Sequence, residues 1–377
     1  MKRVAVKARR NWQEEVERYG LKFHTPDGHP YWDESVCYRF SSREVDELEA
    51  ATEELQRLCL KAGQFIIDHD RFELFHIPQA VRQHIRDAWE KEPPSIYGRF
   101  DLMYNGNGPP KLLEYNANTP TSLLEAAVIQ WYWLEDAMKG KDQFNSIHEK
   151  LIAKWKDLQP YLKGERLYFT SMGNAEDVTT ISYLRDTAEQ AGISTDALLI
   201  REIGWNDRAR EFRDGGERRI DSIFSLYPWE WLLKDFAGPL LEVLPSTVWI
   251  EPIWKMMWSN KALLAILWEM FPKHPNLLEA HLDGSHSMYE FVKKPLFGRE
   301  GANITMHTLN WESSTDGPYG EEGYVWQALA PRATFDGKQP VLGSWYVTDQ
   351  GAAGIGVRES DGPITDNLSR FVPHFFD

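Results

Sequence analysis

Two acids, an amide and several hydroxyls crowd into one stretch of this chain: Arg99-Phe100-Asp101, then Glu114-Tyr115-Asn116-Ala117-Asn118-Thr119-Pro120-Thr121-Ser122. Asp101, Glu114 and Asn116 offer hard oxygen donors, and Glu114 and Asn116, two apart on a strand, point to one face. Magnesium takes few protein oxygens and keeps water or phosphate in its other positions. Two carboxylates and an amide carbonyl therefore suit an Mg²⁺ ion that carries a nucleotide. The apolar pair Leu112-Leu113 predicts a buried strand emerging at Glu114, and Asn118 to Thr121 the loop that follows. The same residues can equally satisfy loop backbone groups, with Asp101 paired to Arg99.

A second stretch, Phe291-Val292-Lys293-Lys294-Pro295-Leu296-Phe297-Gly298-Arg299-Glu300-Gly301, delivers a lysine from a strand into a turn bounded by two glycines. Glycine lets backbone N–H groups approach phosphate oxygens, and Lys294 adds a cation, so the outline is a phosphate cradle. No Gly-x-x-x-x-Gly-Lys-Ser/Thr pattern occurs in the chain, and this turn is not a Rossmann fingerprint. Basic hairpins with glycine also occur without any ligand.

Together with Asn260-Lys261 and Val325-Trp326-Gln327, these motifs resemble, in order and separation, the synthetase domain of the glutathionylspermidine synthetase family, from roughly residue 30 to the C-terminus. The resemblance implies an α/β (α+β) fold of the ATP-grasp type, with an antiparallel nucleotide-gripping sheet and additional α/β lobes. It implies an ATP-dependent carboxylate–amine ligase that joins a glutathione-like peptide to a polyamine-like amine through an acyl phosphate. By the same resemblance Asp101, Glu114 and Asn116 would hold two Mg²⁺ ions. Lys261 and Lys294 would contact the phosphates of ATP beside Gly298 and Gly301, and the segment around Gln327 would line the adenine pocket. Arg99, Thr119 and Thr121 would meet the peptide, Arg358 the transferring phosphate and the carboxylate, and Glu176 and Asp177 the amine.

Family members commonly carry Asp-Ser-x-Ser where this chain has Asn118-Thr119-Pro120-Thr121. Hydroxyls are kept and a charge is lost, which leaves the identity of the peptide open. The amidase domain of the bifunctional relatives is not expected here, since the stretch before Arg99 is too short for a separate papain-like domain. Cys37, on an expected strand, and Cys59, on an expected helix, read as buried structural thiols.

The reaction needs these residue types. A carboxylate is a poor electrophile until a phosphoryl group is placed on it, and cations must spread the moving charge; Lys261, Lys294 and Arg358 would supply them. Attack by a neutral amine then builds a tetrahedral oxyanion, for which Arg99 and Arg358 are candidate donors, because a guanidinium stays charged and binds two oxygens at once. Arg358 can also be read as a hairpin cation paired with Glu359.

The elements that position these groups follow from the remaining pattern. With 377 residues, 42% hydrophobic and 26% charged, the chain exceeds one typical domain of ~100–200 residues. One catalytic unit is expected over 1–377, with an α/β lobe at 160–235 and an ATP-grasp lobe at 250–377. Ser41 to Glu44 signals the start of a helix over 41–70, and another is expected from Leu123 to about Met138. Strands near 166–171 and 194–200 flank a helix in a β-α-β arrangement. The strands carrying Lys294, Gln327 and Trp345 are expected to share the nucleotide-gripping sheet, with Ser313 to Gly323 a polar loop between two of them.

Composition narrows the partners. No apolar run reaches the ~20 residues of a membrane helix, and the basic N-terminus lacks the apolar core of a secretory signal. With two cysteines this favours the cytoplasm. A formal charge of −15 argues against nucleic acid and suits a cationic ligand. His24 and His29, and His281 and His286, are each five apart and without neighbouring cysteines, so zinc is not expected. Sixteen tryptophans raise a glycosidase reading, but Trp254 and Trp258 are spaced as helix-packed core residues beside methionines. The alternative that remains is a non-catalytic nucleotide-binding or regulatory protein on the same fold, and the oligomeric state stays open.

Overall fold

The computed structural model describes residues 1–366 and 369–377. Its centre is a five-stranded antiparallel sheet ordered Arg370–Val372, Gly351–Ser360, Gln339–Val347, Tyr97–Met103, Lys111–Asn116. Strand alternation sends Phe100, Leu102, Leu112, Leu342, Ile355 and Val357 into the core. The helix Ser42–Asp68 packs beneath that face. Its start is fixed by a reciprocal cap, in which Ser41 N–H donates to Glu44 and Glu44 N–H donates to the Ser41 hydroxyl. Leu48, Leu55, Leu58 and Ile66 form its buried stripe. Thr52 and Ser344 hydroxyls meet at 2.6 Å between helix and sheet.

A four-stranded parallel sheet stands beside the centre, in the order Val248–Ile250, Ser222–Leu226, Leu167–Ser171, Thr195–Leu199. Leu167–Ser171, helix Ala175–Gln190 and Thr195–Leu199 make its β-α-β unit. The sheet extends past residue 235, because Val248–Ile250 is its edge strand. A second antiparallel five-stranded sheet is ordered Ala280–His281, Tyr324–Ala328, Phe291–Pro295, Thr305–His307, Glu312–Ser314. Lys2–Ala5, Val36–Phe40 and His374–Phe376 form a small sheet that joins the two ends of the chain. Both cysteines are free and buried, and Trp254 and Trp258 pack edge to face at 4.6 Å in the core. Among the described residues no helix is long and apolar enough to cross a membrane.

The expectation for Trp345 is corrected. Lys294 and Gln327 share the second sheet, but Trp345 lies in the central sheet opposite Arg99. Gln339–Val347 is buried along most of its length, which fits a strand flanked on both sides, and Gly343 opposite Asp101 leaves room for the Arg99 stem.

One buried ion pair fixes the parallel sheet to the central one. Glu251 and Lys255 are almost wholly excluded from solvent and 2.5 Å apart. The Glu251 carboxylate also accepts from the backbone N–H groups of Ile96 and Tyr97, each at 3.0 Å, and from the Ser95 hydroxyl at 2.8 Å. Lys255 donates to the Tyr97 carbonyl at 2.7 Å, and burial lowers its pKa. Breaking one side of such a pair strands a buried charge. Lys255→Met alone is expected to cost about 3–5 kcal/mol in urea unfolding, and Lys255→Met with Glu251→Leu markedly less.

A second buried titratable group sets an acid limb. His374 is fully buried, its Nδ1 paired with Gln130 Oε1 at 2.9 Å, and burial holds its pKa down at about 3 against 6.5 in the open chain. Between those values the unfolded chain binds the proton and the folded one does not. The stability is therefore fully present above pH 6.5 and is lost as pH falls toward 3. His374→Gln is expected to flatten that limb in urea midpoints measured against pH.

Candidate active site

A bulge in the central sheet aims the acidic residues. Asp101 pairs with Glu114 and Leu102 with Leu112, so Leu113 is the extra residue, and beyond it the side chains change face. Leu112 and Leu102 enter the core while Glu114, Asn116, Asp101 and Arg99 all turn to one cavity of about 330 Å³. Asn116 Nδ2 bridges the two carboxylates, donating to Asp101 Oδ2 at 3.0 Å and to Glu114 Oε1 at 3.2 Å, which leaves its carbonyl uncommitted to them. Arg99 grips Asp101 through Nε at 2.7 Å and Nη2 at 3.2 Å, and donates through Nη1 to the Thr121 carbonyl at 2.7 Å. Burial and the nearby Glu114 raise the Asp101 pKa despite the Arg99 cation.

The second sheet brings the lysines. Lys294 Nζ donates to the Leu113 carbonyl at the bulge, 2.9 Å, and to Gln327 Oε1, 2.7 Å. Gln327 Nε2 in turn donates to the Leu112 carbonyl at 2.9 Å. Lys261 precedes helix Ala262–Met270, whose first N–H is capped by Asn260, and reaches Glu114 at 3.0 Å and the Gly298 carbonyl at 2.6 Å. Burial alone would push Glu114 up, but the two lysines overcome it and hold the carboxyl at about 2. Burial lowers Lys294 to about 8 although Glu114 pulls the other way.

The loop after the second sheet's central strand supplies Arg299, which the sequence reading quoted but gave no role. It donates to Thr119 Oγ1 at 2.8 Å and to Glu230 at 3.0 Å, and its guanidinium lies 5.6 Å from the Trp231 ring. A cation between the two glycines of a cradle was the signal that could have found it. Also at the cavity, Asn174 caps helix Ala175–Gln190 by accepting from Asp177 N–H at 2.8 Å, so Glu176 and Asp177 sit in its first turn, with Glu176 3.5 Å from the Ser122 hydroxyl. Burial pushes Asp177 up to about 6. Arg358 is held by the Ser369 and Asp366 carbonyls at 3.0 and 2.9 Å. Glu359 points to the opposite face, where Arg3 and Tyr38 bind it at 2.7 Å each, so Arg358 is not its partner.

Of the residues singled out in the sequence, Arg99, Asp101, Glu114, Asn116, Thr119, Thr121, Glu176, Asp177, Lys294, Gly301, Gln327 and Arg358 line this one cavity. Lys261 and Gly298 lie behind its wall, joined to each other. His281 and His286, five apart in sequence, are nonetheless brought together. The segment bends after strand Ala280–His281, stacking the two rings at 3.9 Å with Asp283 beside them. Both Nε2 atoms are already bonded to carboxylates, of Glu279 and Asp283.

The model of the glutathionylspermidine synthase preATP-grasp family matches residues 3–377. The chain belongs to that family. A relative from Haemophilus influenzae, named "Putative acid--amine ligase", is 41% identical over 93% of this chain and 92% of its own length. Trypanothione synthetase of Crithidia fasciculata is 27% identical over 82% of this chain, and the bifunctional glutathionylspermidine synthetase/amidase of Escherichia coli 28% over 80%. This chain spans about half the length of those two, 52% and 53%. In fold, a glutathione synthetase-like effector of Globodera pallida superposes over 97% of this chain with a TM-score of 0.55 at 9% identity. As a family member the chain is an ATP-dependent C–N ligase with a mixed α/β, ATP-grasp architecture.

The family implies ATP, with Mg²⁺ typical, and the cavity suits both. Its acids and amide are hard oxygen donors of the kind Mg²⁺ takes. Arg299 Nε is buried without a partner among the described residues, as a donor awaiting an anion would be. Gly301 has φ +72°, and a Cβ there would sit 2.6 Å from the Thr365 carbonyl oxygen. Gly301→Ala is expected to distort the cradle and weaken ATP binding by about tenfold in a tryptophan-fluorescence titration, with little change in melting temperature.

Proposed function

We propose that this chain activates the carboxylate of a peptide-like acid by phosphoryl transfer from ATP and joins it to a polyamine-like amine, with an acyl phosphate between the two steps. The observation that carries this reading is the meeting of three kinds of group in one cavity: a two-carboxylate, one-amide donor set, the cations Arg99, Lys294 and Arg358, and the acid pair Glu176 and Asp177. A site that only bound nucleotide would have no use for two arginines and a further acid pair.

Asp101, Glu114 and Asn116 would hold Mg²⁺, which when bound would neutralise phosphate oxygens. Lys294, packed against the bulge carbonyl and Gln327, is held as a fixed cation for the phosphates, and Lys261 keeps Glu114 ionised. Arg99 and Arg358 line the cavity from two strands of the central sheet and would stabilise charge developing on the reacting carboxyl. Thr119 and Thr121 offer hydroxyls to the acid, with Thr119 steadied by Arg299. Glu176 and Asp177 would attract a cationic amine. Asn118, where the family pattern carries a charge, is buried and does not line the cavity.

Purified protein with ATP and Mg²⁺ against a panel of peptide acids crossed with amines, spermidine included, is expected to release ADP and yield a condensed product for a restricted set of pairs. Glu114→Ala should abolish both, and Arg358→Lys should lower turnover by about 10²-fold or more. Nucleotide binding with no stimulation by any pair would instead favour the non-catalytic reading.

A further inference from the structure

Beside the candidate site lies a buried acid, Glu125, to which the ligase reading gives no role. Glu125 is 1% exposed and opens a single π-helical turn, Glu125–Ile129, a feature frequent at functional sites. Its carboxylate accepts from the Tyr31 hydroxyl at 2.7 Å, which orients the other side of that hydroxyl toward Ser122, 3.2 Å away. Ser122 holds a left-handed backbone conformation, φ +64°, that costs a non-glycine residue strain. Its hydroxyl stands at the cavity wall, 3.5 Å from Glu176 and 3.5 Å from Arg358, whose guanidinium lies 5.3 Å over the Tyr31 ring. Tyr31 and Glu125 do not line the cavity.

Resting on the ligase reading, we propose that Ser122, Tyr31 and Glu125 form a proton relay that deprotonates the attacking amine. A cationic amine enters protonated and is unreactive until it loses a proton. Glu176 is taken up with binding the ammonium, so a second acid is needed for the proton. In the relay the ammonium gives one proton to Ser122 Oγ, Ser122 passes its own to Tyr31, and Tyr31 passes its own to the Glu125 carboxylate. The neutral nitrogen then attacks the acyl carbon, the C–N bond forms, and the C–O bond to phosphate breaks. The second nitrogen proton leaves with inorganic phosphate, and Glu125 returns its proton to solvent between turnovers. Among the described residues, Tyr31, Glu176 on helix Ala175–Gln190 and Arg358 on strand Gly351–Ser360 are charged or titratable groups that act on Glu125. Burial pushes Glu125 up to about 7, and Arg358 tempers that rise.

The test compares a cationic amine with hydroxylamine, which is uncharged at about pH 7.5 and needs no base to become a nucleophile. Wild-type turnover with the cationic amine is expected to fall on the acid side through about pH 7. Glu125→Gln should abolish the break near pH 7, leaving turnover to rise on toward the amine's own pKa, and slow amide formation by about 10²-fold, while hydroxamate formation changes by less than about threefold. Tyr31→Phe and Ser122→Ala should show the same split, which covers the case of a Glu125 variant that folds poorly. Equal losses with both nucleophiles, or an acid limb unchanged in Glu125→Gln, would overturn the relay and leave the ligase reading intact. Wild-type protein that yields neither amide nor hydroxamate with any acid would overturn the ligase reading and the relay with it.

Discussion

The Glu251–Lys255 pair is the constraint from which the site's geometry follows. It joins the end of the parallel sheet to the first residues of the strand that carries Arg99 and Asp101, using the Glu251 carboxylate to accept backbone donors that would otherwise be buried without partners. Trp229 adds an indole donor to the Glu251 carbonyl at 3.1 Å. A hydrophobic contact would hold the two sheets together, but it would not fix their register, because burial of apolar surface has no direction. The pair does, and so it sets how far Glu176 and Asp177 stand from Arg99 and Arg358.

Between the central and second sheets the same logic works through a bulge. One extra residue, Leu113, releases carbonyls that Lys294 and Gln327 take up, so two sheets that share no ladder are stitched by side chains. The stitch costs solvation of a lysine, visible in its lowered pKa. It is offset by bringing the cation close to Glu114. The cavity therefore holds acids and cations in near balance, which suits a site that must receive a highly charged nucleotide and metal without large rearrangement.

Much of this was legible in the sequence. The helix start at Ser41, the strands at 167–171 and 195–199, and the acidic face at Glu114 and Asn116 are local consequences of capping chemistry and side-chain period. Family resemblance added the order of the motifs. The sheet that takes Trp345 is not legible because an antiparallel strand carries no mark of its partner; Gly343 on that strand leaves room for the Arg99 stem opposite. Arg299 was overlooked because its value lies in where Thr119 and Glu230 are, and both are distant in the chain.

The sequence alone determined which groups are present and the local elements that carry them, since propensity, capping and alternation act over a few residues. Tertiary structure decided which of them share one cavity. It placed Lys261 behind the wall, turned Glu359 away from Arg358, and brought Tyr31 to Glu125 and Ser122. These are contacts across long loops, and their closure is set by burying the cores of three sheets at once rather than by any short pattern of residues.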